Sequence, residues 1–359
     1  MLADLEKTYR GKRVFVTGHT GFKGAWLSFW LTEMGADVYG YALEEPGAPA
    51  TFTAIDLGKH LKADTRADLA DLAALRKAFA AANPDIVFHM AAQPLVRLSY
   101  REPLETLQTN FMGTAHVLDV LRTSSKKVPC IVITSDKCYE NREIDYGYQE
   151  HDPMGGSDIY SMSKGACELL TTAYRKSFQL PLASGRAGNV IGGGDYAEDR
   201  IIPDCVRALA AGKPVVLRNP GSIRPWQHVL EPVSGYLVLG EKLLGGGAPA
   251  FYDGWNFGPK EEKVDVETLA GLFLKTWSNE GGSGKLEIDR TTQHPHEAKL
   301  LRLNIEKAGR ELNWRPTWSV SQTIHETAHW YREFESKKRV KGSMLETTRA
   351  QIKKYVSQA

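Results

Sequence analysis

The chain has 359 residues, of which 42% are hydrophobic, 25% are charged and 9% are aromatic. This is the composition of a globular protein, long enough for one large domain or two ordinary ones. Because the formal net charge is only +2 and no segment concentrates lysine and arginine, nothing in the sequence indicates a nucleic acid partner.

The cysteines and the apolar segments indicate the compartment. The four cysteines form no C-x-x-C pair and have no zinc-binding spacing, so we expect free thiols and no metal site. The N-terminal residues contain no apolar segment of the kind found in signal peptides. The most apolar helical stretch, around residues 25–31, is far too short to cross a bilayer. We therefore expect a soluble, cytoplasmic protein without a membrane partner.

Strands and helices alternate through the first half of the chain. Short runs rich in β-branched residues predict strands at 13–17, 37–41, 85–89 and 127–134. Apolar residues at helical spacing predict helices at about 21–34, 69–82, 103–122 and 159–178. This alternation requires crossover connections between parallel strands. We therefore predict an α/β fold, a doubly wound, parallel Rossmann-type sheet with helices on both faces.

Three glycines follow the first predicted strand, in Gly18-His-Thr-Gly21-Phe-Lys-Gly24. Such glycines permit a tight turn and let the backbone approach a pyrophosphate, which then lies at the helix N-terminus. The alternative is a glycine-rich turn without a ligand. The G-x-x-G-x-x-G spacing resembles the short-chain dehydrogenase/reductase superfamily. This resemblance implies a nicotinamide dinucleotide bound by Gly18, His19, Thr20, Gly21, Phe22, Lys23 and Gly24.

The residues after the second predicted strand favour NAD over NADP. No acid stands at residues 41–43, where a ribose-binding acid is expected, and Glu44 and Glu45 follow slightly late. No arginine occupies this place either, so a 2′-phosphate has no evident partner. The resemblance further implies cofactor contacts from Asp64, against the adenine amino group, and from Thr65, Ala91 and Ala92. A capping or loop aspartate is the alternative for Asp64.

Tyr160 and Lys164 begin the predicted helix at 159–178. A spacing of four residues places both side chains on one face, with the ammonium close to the phenol. We expect this charge to lower the pKa of Tyr160, giving a general base for hydroxyl deprotonation. Lys164 can also hold the nicotinamide ribose. A surface pair without function is the alternative, because Y-x-x-x-K alone is a weak motif.

The segment Thr134-Ser-Asp-Lys137 ends the fourth predicted strand. The nucleotide-sugar 4,6-dehydratases of this superfamily carry an acid and a base here, and the dTDP-glucose enzymes show Thr-Asp-Glu. The chain resembles this family over residues 12–318, with Lys137 in place of the glutamate. The Ser-Asp-Lys version, the HTGFKGAWLSFWL opening and the AAQPLVRLSY segment are similar to the branch that acts on CDP-glucose.

The resemblance implies a reaction at sugar carbons 4, 5 and 6. Oxidation at carbon 4 makes a ketone, which acidifies the hydrogen on carbon 5, so that water can leave across carbons 5 and 6. Ser135 would bind the 4-oxygen, Asp136 would act as the acid and Lys137 as the base. A lysine base must be neutral, so its pKa must fall from about 10.4. The alternatives are an Asp136–Lys137 ion pair, reversed or water-mediated roles, or an exposed salt bridge.

After about residue 187 the segments become shorter and glycine-rich. We predict that residues 1–188 form the NAD-binding domain, with 227–255 returning to it. Residues 189–359 then form mainly a smaller α/β substrate-binding lobe, ending in a polar tail from 336 that is a solvated helix or partly ordered. The resemblance implies substrate contacts from Arg97, Asn110, Asn189, Arg218 and Arg224. Each arginine taken alone is as readily a surface residue.

The sequence also bears on three rival functions and on the oligomeric state. A 4-epimerase does not need the Asp136–Lys137 pair, and a GDP-mannose-type dehydratase needs an arginine for NADP. A non-catalytic dinucleotide-binding protein usually lacks Tyr160 or Lys164. The helices at 103–122 and 159–178 carry apolar residues beyond one inward stripe, and the resemblance implies a homodimer or homotetramer formed through them. It also implies a product used in deoxysugar synthesis for bacterial surface polysaccharide such as O-antigen.

Overall fold

A computed structural model of the protein describes residues 2–45, 50–143, 146–246, 249–260, 263–289 and 301–359. The strands are β1 (Arg13–Thr17), β2 (Asp37–Ala42), β3 (Ala63–Arg66), β4 (Ile86–His89), β5 (Cys130–Ile133), β6 (Leu182–Ala187), β7 (Val190–Ile191), β8 (Val215–Leu217), β9 (Ile223–Arg224), β10 (Gln227–His228), β11 (Gly254–Phe257), β12 (Val264–Asp265) and β13 (Leu286–Ile288). The helices are α1 (Leu5–Tyr9), α2 (Phe22–Glu33), α3 (Thr51–Ala54), α4 (Leu72–Ala82), α5 (Val96–Arg101), α6 (Pro103–Leu107), α7 (Gly113–Thr123), α8 (Ile159–Phe178), α9 (Ile201–Ala210), α10 (Leu230–Leu244), α11 (Val266–Asn279), α12 (Glu306–Glu311), α13 (Val320–Ser336) and α14 (Leu345–Gln358).

Seven parallel strands form the central sheet in the order β11-β6-β5-β4-β1-β2-β3. The strands β4, β5 and β6 are buried along their whole length, because helices cover both faces of the sheet. Side chains of α4 and α7 form the core on one face, and those of α2 and α10 form it on the other. The doubly wound Rossmann-type prediction is confirmed. Its parallel strands bring their carboxyl ends to one edge, where ligands bind in such sheets.

The chain after residue 188 builds a second layer over that edge. Three two-stranded sheets, β7 with β10, β8 with β13 and β9 with β12, lie outside the central sheet. The strand β11 pairs with β6, so the chain returns to the central sheet before leaving it again. Among the described residues, no helix combines the length and the apolar character needed to cross a membrane.

The C-terminal segment differs from the expected solvated or partly ordered tail. Tyr355 of α14 is fully buried, and its hydroxyl donates a 2.6 Å hydrogen bond to Glu231 at the start of α10. Ile352, one turn earlier, is also buried. The helix of the expectation is therefore present, but its buried positions hold it on the protein, which the polar composition of the segment did not indicate.

The helix predicted at 103–122 is interrupted. Residues Gln108–Met112 form a π-helical turn between α6 and α7. Asn110 lies in this turn with 1% of its surface exposed, and its side-chain amide exchanges hydrogen bonds with the backbone of Gln93 at 2.8 and 3.1 Å. Such π turns widen a helix locally and redirect its side chains.

Candidate active site

The glycine loop is held by contacts that leave no room for a side chain. Gly18 has φ +76°, a conformation that glycine adopts at little cost, and an added Cβ would lie 2.6 Å from the backbone nitrogen of Ala91. An added Cβ at Gly24 would lie 2.0 Å from the carbonyl oxygen of Gly18. Gly21 directly precedes α2, whose first amide groups therefore face the loop. This backbone cradle fits a pyrophosphate.

His19 and Thr20 tie the loop to the neighbouring strands. Thr20 donates a 3.0 Å hydrogen bond to the carbonyl of Leu43, just beyond β2. His19 is fully buried, and its Nε2 lies 2.7 Å from Oδ1 of Asp64 on β3. Thr65 follows on the same strand, while Ala91 and Ala92 come after β4. These residues therefore collect at the carboxyl edge of the sheet, as their sequence positions predict.

Arg66 corrects the expectation that no arginine lies near the end of β2. It is the register partner of Ala42, because β2 and β3 are adjacent and parallel. Its guanidinium lies 2.7 Å from Asp64, 3.0 Å from Glu45 and 3.2 Å from Glu44. Sequence reasoning considered only residues that follow β2, and Arg66 comes from the next strand. One guanidinium among three carboxylates leaves this cluster negative.

Asp64 is strongly engaged in this cluster. Burial alone would raise the pKa of its carboxyl, but hydrogen bonds from His19 and Arg66 lower the pKa to about 2. Both oxygens accept from Arg66, at 2.7 and 2.9 Å. Asp64 is therefore an ionised carboxylate at the expected adenine end of the loop, already bound to two protein groups.

Ser135 and Tyr160 meet at the end of β5. Ser135 has an extended backbone and begins a short 3₁₀ turn, Asp136–Cys138, where its hydroxyl accepts a 3.2 Å hydrogen bond from the backbone N–H of Lys137. Tyr160 lies in the first turn of α8, which Asp158 caps with a 2.9 Å hydrogen bond from the N–H of Ser161. The strand end and the capped helix start thus bring the serine and the tyrosine together.

The expected lowering of the Tyr160 pKa is wrong for the structure. Burial raises the pKa of Tyr160 to about 12, and a hydrogen bond with Ser135 only partly offsets this. The ammonium of Lys164 donates a 3.4 Å hydrogen bond to the carbonyl of Ile133. Burial also lowers the pKa of Lys164. The spacing of four placed both residues on one face but did not specify the direction of the lysine side chain.

Asp136 is buried with 2% of its surface exposed. One carboxyl oxygen accepts a 2.8 Å hydrogen bond from the hydroxyl of Ser135, and the other has no hydrogen-bonding partner among the described residues. An ion pair between Asp136 and Lys137 was one alternative left by the sequence. This second oxygen takes no part in such a pair.

Lys23 is a feature that sequence reasoning missed. It was expected only as part of the cofactor loop, but it also lines the cavity beside Tyr160 and Asp136. Burial, together with the charges of Lys164 and Arg200, lowers the pKa of Lys23 to about 7. Its position inside G-x-x-G-F-K-G gave no signal of this, because the neighbouring cations come from α8 and from the segment before α9.

A buried ion pair lies next to the strand ends that carry the catalytic residues. Glu168 of α8 and Arg186 of β6 are 4% and 5% exposed, and their side chains lie 2.8 Å apart. Glu168 also accepts hydrogen bonds from Thr134 and, at 2.6 Å, from Ser184. Arg186 donates to the hydroxyl of Tyr139 at 2.7 Å. The pair therefore fixes β5, β6 and α8 relative to one another.

A cavity of about 550 Å³ joins the catalytic residues to the second layer. It is lined by Ser135, Asp136, Lys137 and Tyr160, and by four of the five expected substrate residues, Arg97, Asn189, Arg218 and Arg224. Asn110 does not line it, since its amide is buried against Gln93 and Ser163; the expectation for Asn110 was wrong. Arg200, which the sequence analysis passed over, lines the cavity and pairs with Asp195 at 2.7 Å.

Metal chemistry has no evident site in the described part of the chain. No group of three or more histidine, cysteine, aspartate or glutamate side chains there could hold a metal ion. All four cysteines are buried and unpaired. The polar groups that line the cavity are phenol and hydroxyl groups, carboxyl groups, amides, amines and guanidinium groups.

Comparisons with known proteins identify the family. A family model described as GDP-mannose 4,6 dehydratase matches residues 15–327. The CDP-glucose 4,6-dehydratase of Salmonella typhimurium is 47% identical over 360 residues, covering 97% of this chain and 97% of that protein.

Solved structures extend the likeness in fold. An epimerase of Methanothermobacter thermautotrophicus has a TM-score of 0.81 at 23% identity, over 94% of this chain and 97% of that one. A dTDP-glucose 4,6-dehydratase of Bacillus anthracis, solved in complex with NAD, has a TM-score of 0.75 at 21% identity, over 91% and 98%. At such identities these two structures show the fold alone. The family model and the 47% identical relative show more: this chain belongs to the nucleotide-sugar 4,6-dehydratase family.

Proposed function

We propose that the protein binds NAD and dehydrates CDP-D-glucose to CDP-4-dehydro-6-deoxy-D-glucose. One observation carries this proposal: Tyr160, Ser135 and Asp136 face the same cavity as the arginines expected to bind a diphosphate. The relative from Salmonella typhimurium, named for CDP-glucose, supports the choice of the nucleotide.

The residues around the glycine loop fit NAD. The Gly18–Gly24 backbone leaves a cradle for the pyrophosphate, and the start of α2 faces it. The surplus of carboxylates around Arg66 disfavours the additional phosphate of NADP, although an arginine is present. When bound, the nicotinamide would accept a hydride from sugar carbon 4 and return it to carbon 6.

Tyr160 and Ser135 serve the oxidation at carbon 4. Ser135 binds the 4-hydroxyl and orients it, while the Tyr160 oxygen takes its proton as the carbon–hydrogen bond breaks. A tyrosine with a pKa of about 12 is protonated at neutral pH, so a cation must approach it before it can act as a base. Arg200, whose charge already lowers the Tyr160 pKa slightly, is one such group.

Asp136 and Lys137 serve the elimination. The new ketone acidifies the carbon-5 hydrogen, Lys137 removes that proton, and Asp136 protonates the 6-oxygen as the carbon–oxygen bond breaks. Water is released as one proton leaves carbon 5 and one joins the departing oxygen. The proton held by Lys137 returns to carbon 5 when a hydride is added at carbon 6, and the proton taken by Tyr160 replaces, through solvent, the one given by Asp136. Lys23, with a pKa of about 7, is a second amine within the same cavity.

The substrate diphosphate is assigned to the far side of the cavity. Arg218 follows β8 and Arg224 lies in β9, so two separate strands of the second layer supply guanidinium groups there. Guanidinium groups bind phosphate oxygens through paired hydrogen bonds. Asn189 and Arg97 line the intervening wall, towards the sugar.

The protein is further proposed to act in the cytoplasm as a homodimer or homotetramer. Four free, buried cysteines suit a reducing compartment. Leu104 of α6 and Leu169 of α8 are 79% and 63% exposed, on the two helical segments expected to pair with a second copy. Burial of such side chains would favour association. Light scattering at micromolar concentration tests this, and a monomer would contradict it.

A panel of nucleotide-sugars tests the catalytic proposal. The protein is incubated with NAD and with CDP-glucose, dTDP-glucose, UDP-glucose or GDP-mannose, and the absorbance that 4-keto-6-deoxy sugars develop in base is recorded. We expect the highest kcat/KM with CDP-glucose. A higher value with another nucleotide would overturn the assignment of the base, and conversion to a 4-epimer without dehydration would overturn the reaction.

A further inference from the structure

Asp199 bridges two arginines across the mouth of the cavity. Its Oδ1 lies 3.2 Å from Nη1 of Arg97 and 2.6 Å from Nη1 of Arg218. Arg97 belongs to α5, beside the central sheet, whereas Arg218 follows β8 in the second layer. All three residues line the cavity. A single carboxyl oxygen therefore connects two walls of the cavity, one beside the central sheet and one in the second layer.

Arg218 does not depend on Asp199 for its orientation. Its other terminal nitrogen, Nη2, lies 2.7 Å from Oδ2 of Asp204 on α9. Asp204 in turn pairs with Arg207, one turn later on the same helix, at 2.5 Å. A guanidinium group held at one nitrogen by a helix-borne carboxylate keeps its position when the other nitrogen changes partner. The bond to Asp199 therefore adds charge neutralisation, not support.

Asp199 remains an anion at neutral pH. Burial opposes its ionisation, but the hydrogen bond from Arg218 and the charges of Arg97 and Arg101 lower the pKa of its carboxyl overall. Its backbone has φ +59°, the left-handed region that aspartate and asparagine tolerate better than most residues. The turn thus holds a fixed negative charge beside the two cations.

We propose that Asp199 is a built-in competitor for the diphosphate of the substrate. It occupies Arg97 and Arg218 in the empty protein, and a nucleoside diphosphate must take these guanidinium groups from it to enter the cavity. A diphosphate diester carries two negative charges against one for Asp199, so it can displace the carboxylate, whereas an uncharged nucleoside cannot. The inference rests on the proposed function, which places the diphosphate at Arg218 and places Arg97 on the adjoining wall of the same cavity.

The opposite role, in which Asp199 prepares the arginines for substrate, predicts the opposite sign. If Asp199 prepares them, removing its charge weakens nucleotide binding. If it competes, removing its charge tightens binding. The shared oxygen on both arginines and the independent support of Arg218 by Asp204 favour competition.

The test compares Asp199→Asn with Glu198→Gln. Asparagine adopts positive φ as readily as aspartate, so the turn is kept while the charge is lost. Glu198 also lines the cavity but pairs with neither arginine within the described part of the chain. Its substitution therefore makes the same change in net charge without breaking the bridge. The Kd of CDP, and of cytidine as an uncharged control, is measured by calorimetry at several salt concentrations.

Asp199→Asn is expected to bind CDP about 3- to 20-fold more tightly than the wild type, because each half-exposed ion pair corresponds to a factor of about 1.5 to 5. Glu198→Gln should change the Kd by less than about 1.5-fold, since salt screens unpaired surface charges. Cytidine binding should be the same in all three proteins. Salt should weaken CDP binding more steeply in Asp199→Asn than in the wild type. In the wild type, salt also weakens the ion pairs of Asp199 that compete with CDP, and this offsets part of the loss.

The remaining outcomes overturn one proposal or the other. Weaker or unchanged CDP binding by Asp199→Asn shows that Asp199 does not compete. Equal tightening by both variants shows a general effect of charge, and the bridge is then irrelevant. If the wild-type protein binds neither CDP nor UDP, the proposed substrate site itself is wrong.

Discussion

The two sides of the cavity are held in place by different forces. On the cofactor side, Gly18 and Gly24 are fixed by backbone contacts that exclude even a methyl group. On the substrate side, two arginines that line the cavity, Arg97 and Arg218, are joined by ion pairs with Asp199. Backbone contacts do not respond to salt, whereas half-exposed ion pairs are screened by it and yield to a charged ligand. The comparison implies a rigid cofactor side and a substrate side whose affinity depends on charge.

The largest expected effects come from the catalytic residues that lie between the two sides. Tyr160→Phe removes the oxygen that takes the proton of the 4-hydroxyl, so oxidation at carbon 4 should slow by about 100- to 10,000-fold. Neither reduced cofactor nor dehydrated product should then form at an appreciable rate. Stopped-flow absorbance with CDP-glucose measures both. Rapid reduction of the cofactor by this variant would show that another group accepts the proton.

Lys137→Ala should fail at a later step. It leaves Ser135, Tyr160 and Lys164 in place, so oxidation remains possible while removal of the carbon-5 proton slows by about 100-fold or more. Reduced cofactor and a 4-ketoglucose nucleotide should accumulate, and solvent deuterium should enter carbon 5 more slowly than in the wild type.

Lys23→Met is the matched comparison for Lys137→Ala, because Lys23 is a second amine that lines the cavity, and burial with nearby cations lowers its pKa to about 7. If Lys137→Ala dehydrates at the wild-type rate and Lys23→Met accumulates the ketone, the base is Lys23. If Lys137→Ala blocks oxidation as fully as Tyr160→Phe, the separation of roles along the end of β5 is wrong.

The buried carboxyl group of Glu231 tests how α14 is held on the protein. Glu231 is 1% exposed, and burial raises its pKa to about 7 although Tyr355 and backbone N–H groups donate to it. Because the folded pKa exceeds the unfolded value, folding takes up a proton between about pH 4.5 and 7. The wild-type free energy of unfolding should therefore fall as pH rises through this window. By pH 8, most of the contribution that protonation of Glu231 makes to it should be lost.

Glu231→Gln removes this titration. From pH 5 to pH 8 the variant should gain about 1–3 kcal/mol of stability relative to the wild type, as measured by urea unfolding. Glu306→Gln, at the exposed start of α12, should not change the pH dependence in this window. An identical pH profile for Glu231→Gln and the wild type would show that this carboxyl does not limit the docking of α14.

The sequence could predict features set by local patterns but not those set by contacts between distant segments. The glycine loop, Tyr160 and Ser135 are local patterns on a regular fold, so their spacing sufficed to place them. Arg66 and Asp199 act through partners on other segments, and no local spacing specifies such pairs. Asn110 was misplaced for a related reason, because a π turn, invisible in a helical pattern, directs its amide into the protein.

The smallest expected effect concerns the charge cluster around Arg66, on the cofactor side. Arg66 is surrounded by Glu44, Glu45 and Asp64, so a 2′-phosphate meets a surplus of negative charge there. Substituting Glu44→Gln and Glu45→Gln together leaves Asp64 and the glycine loop unchanged but makes the cluster neutral. The Kd of NADP should then fall by about 3- to 10-fold relative to that of NAD, the size expected for one exposed and one partly buried carboxylate.

The control for this double variant is Glu306→Gln with Glu311→Gln, which removes two charges from α12. That helix packs against β11, at the opposite edge of the central sheet from β3. Its substitution should leave the ratio of the two Kd values within about 1.5-fold of the wild type at physiological salt, because charges beyond about 8 Å are largely screened. If the wild-type protein binds NADP as tightly as NAD, Arg66 already accepts the 2′-phosphate and the carboxylates do not exclude it. If both double variants shift the ratio equally, the cluster has no specific role, and the charge-dependent behaviour inferred for the substrate side extends to the whole cavity.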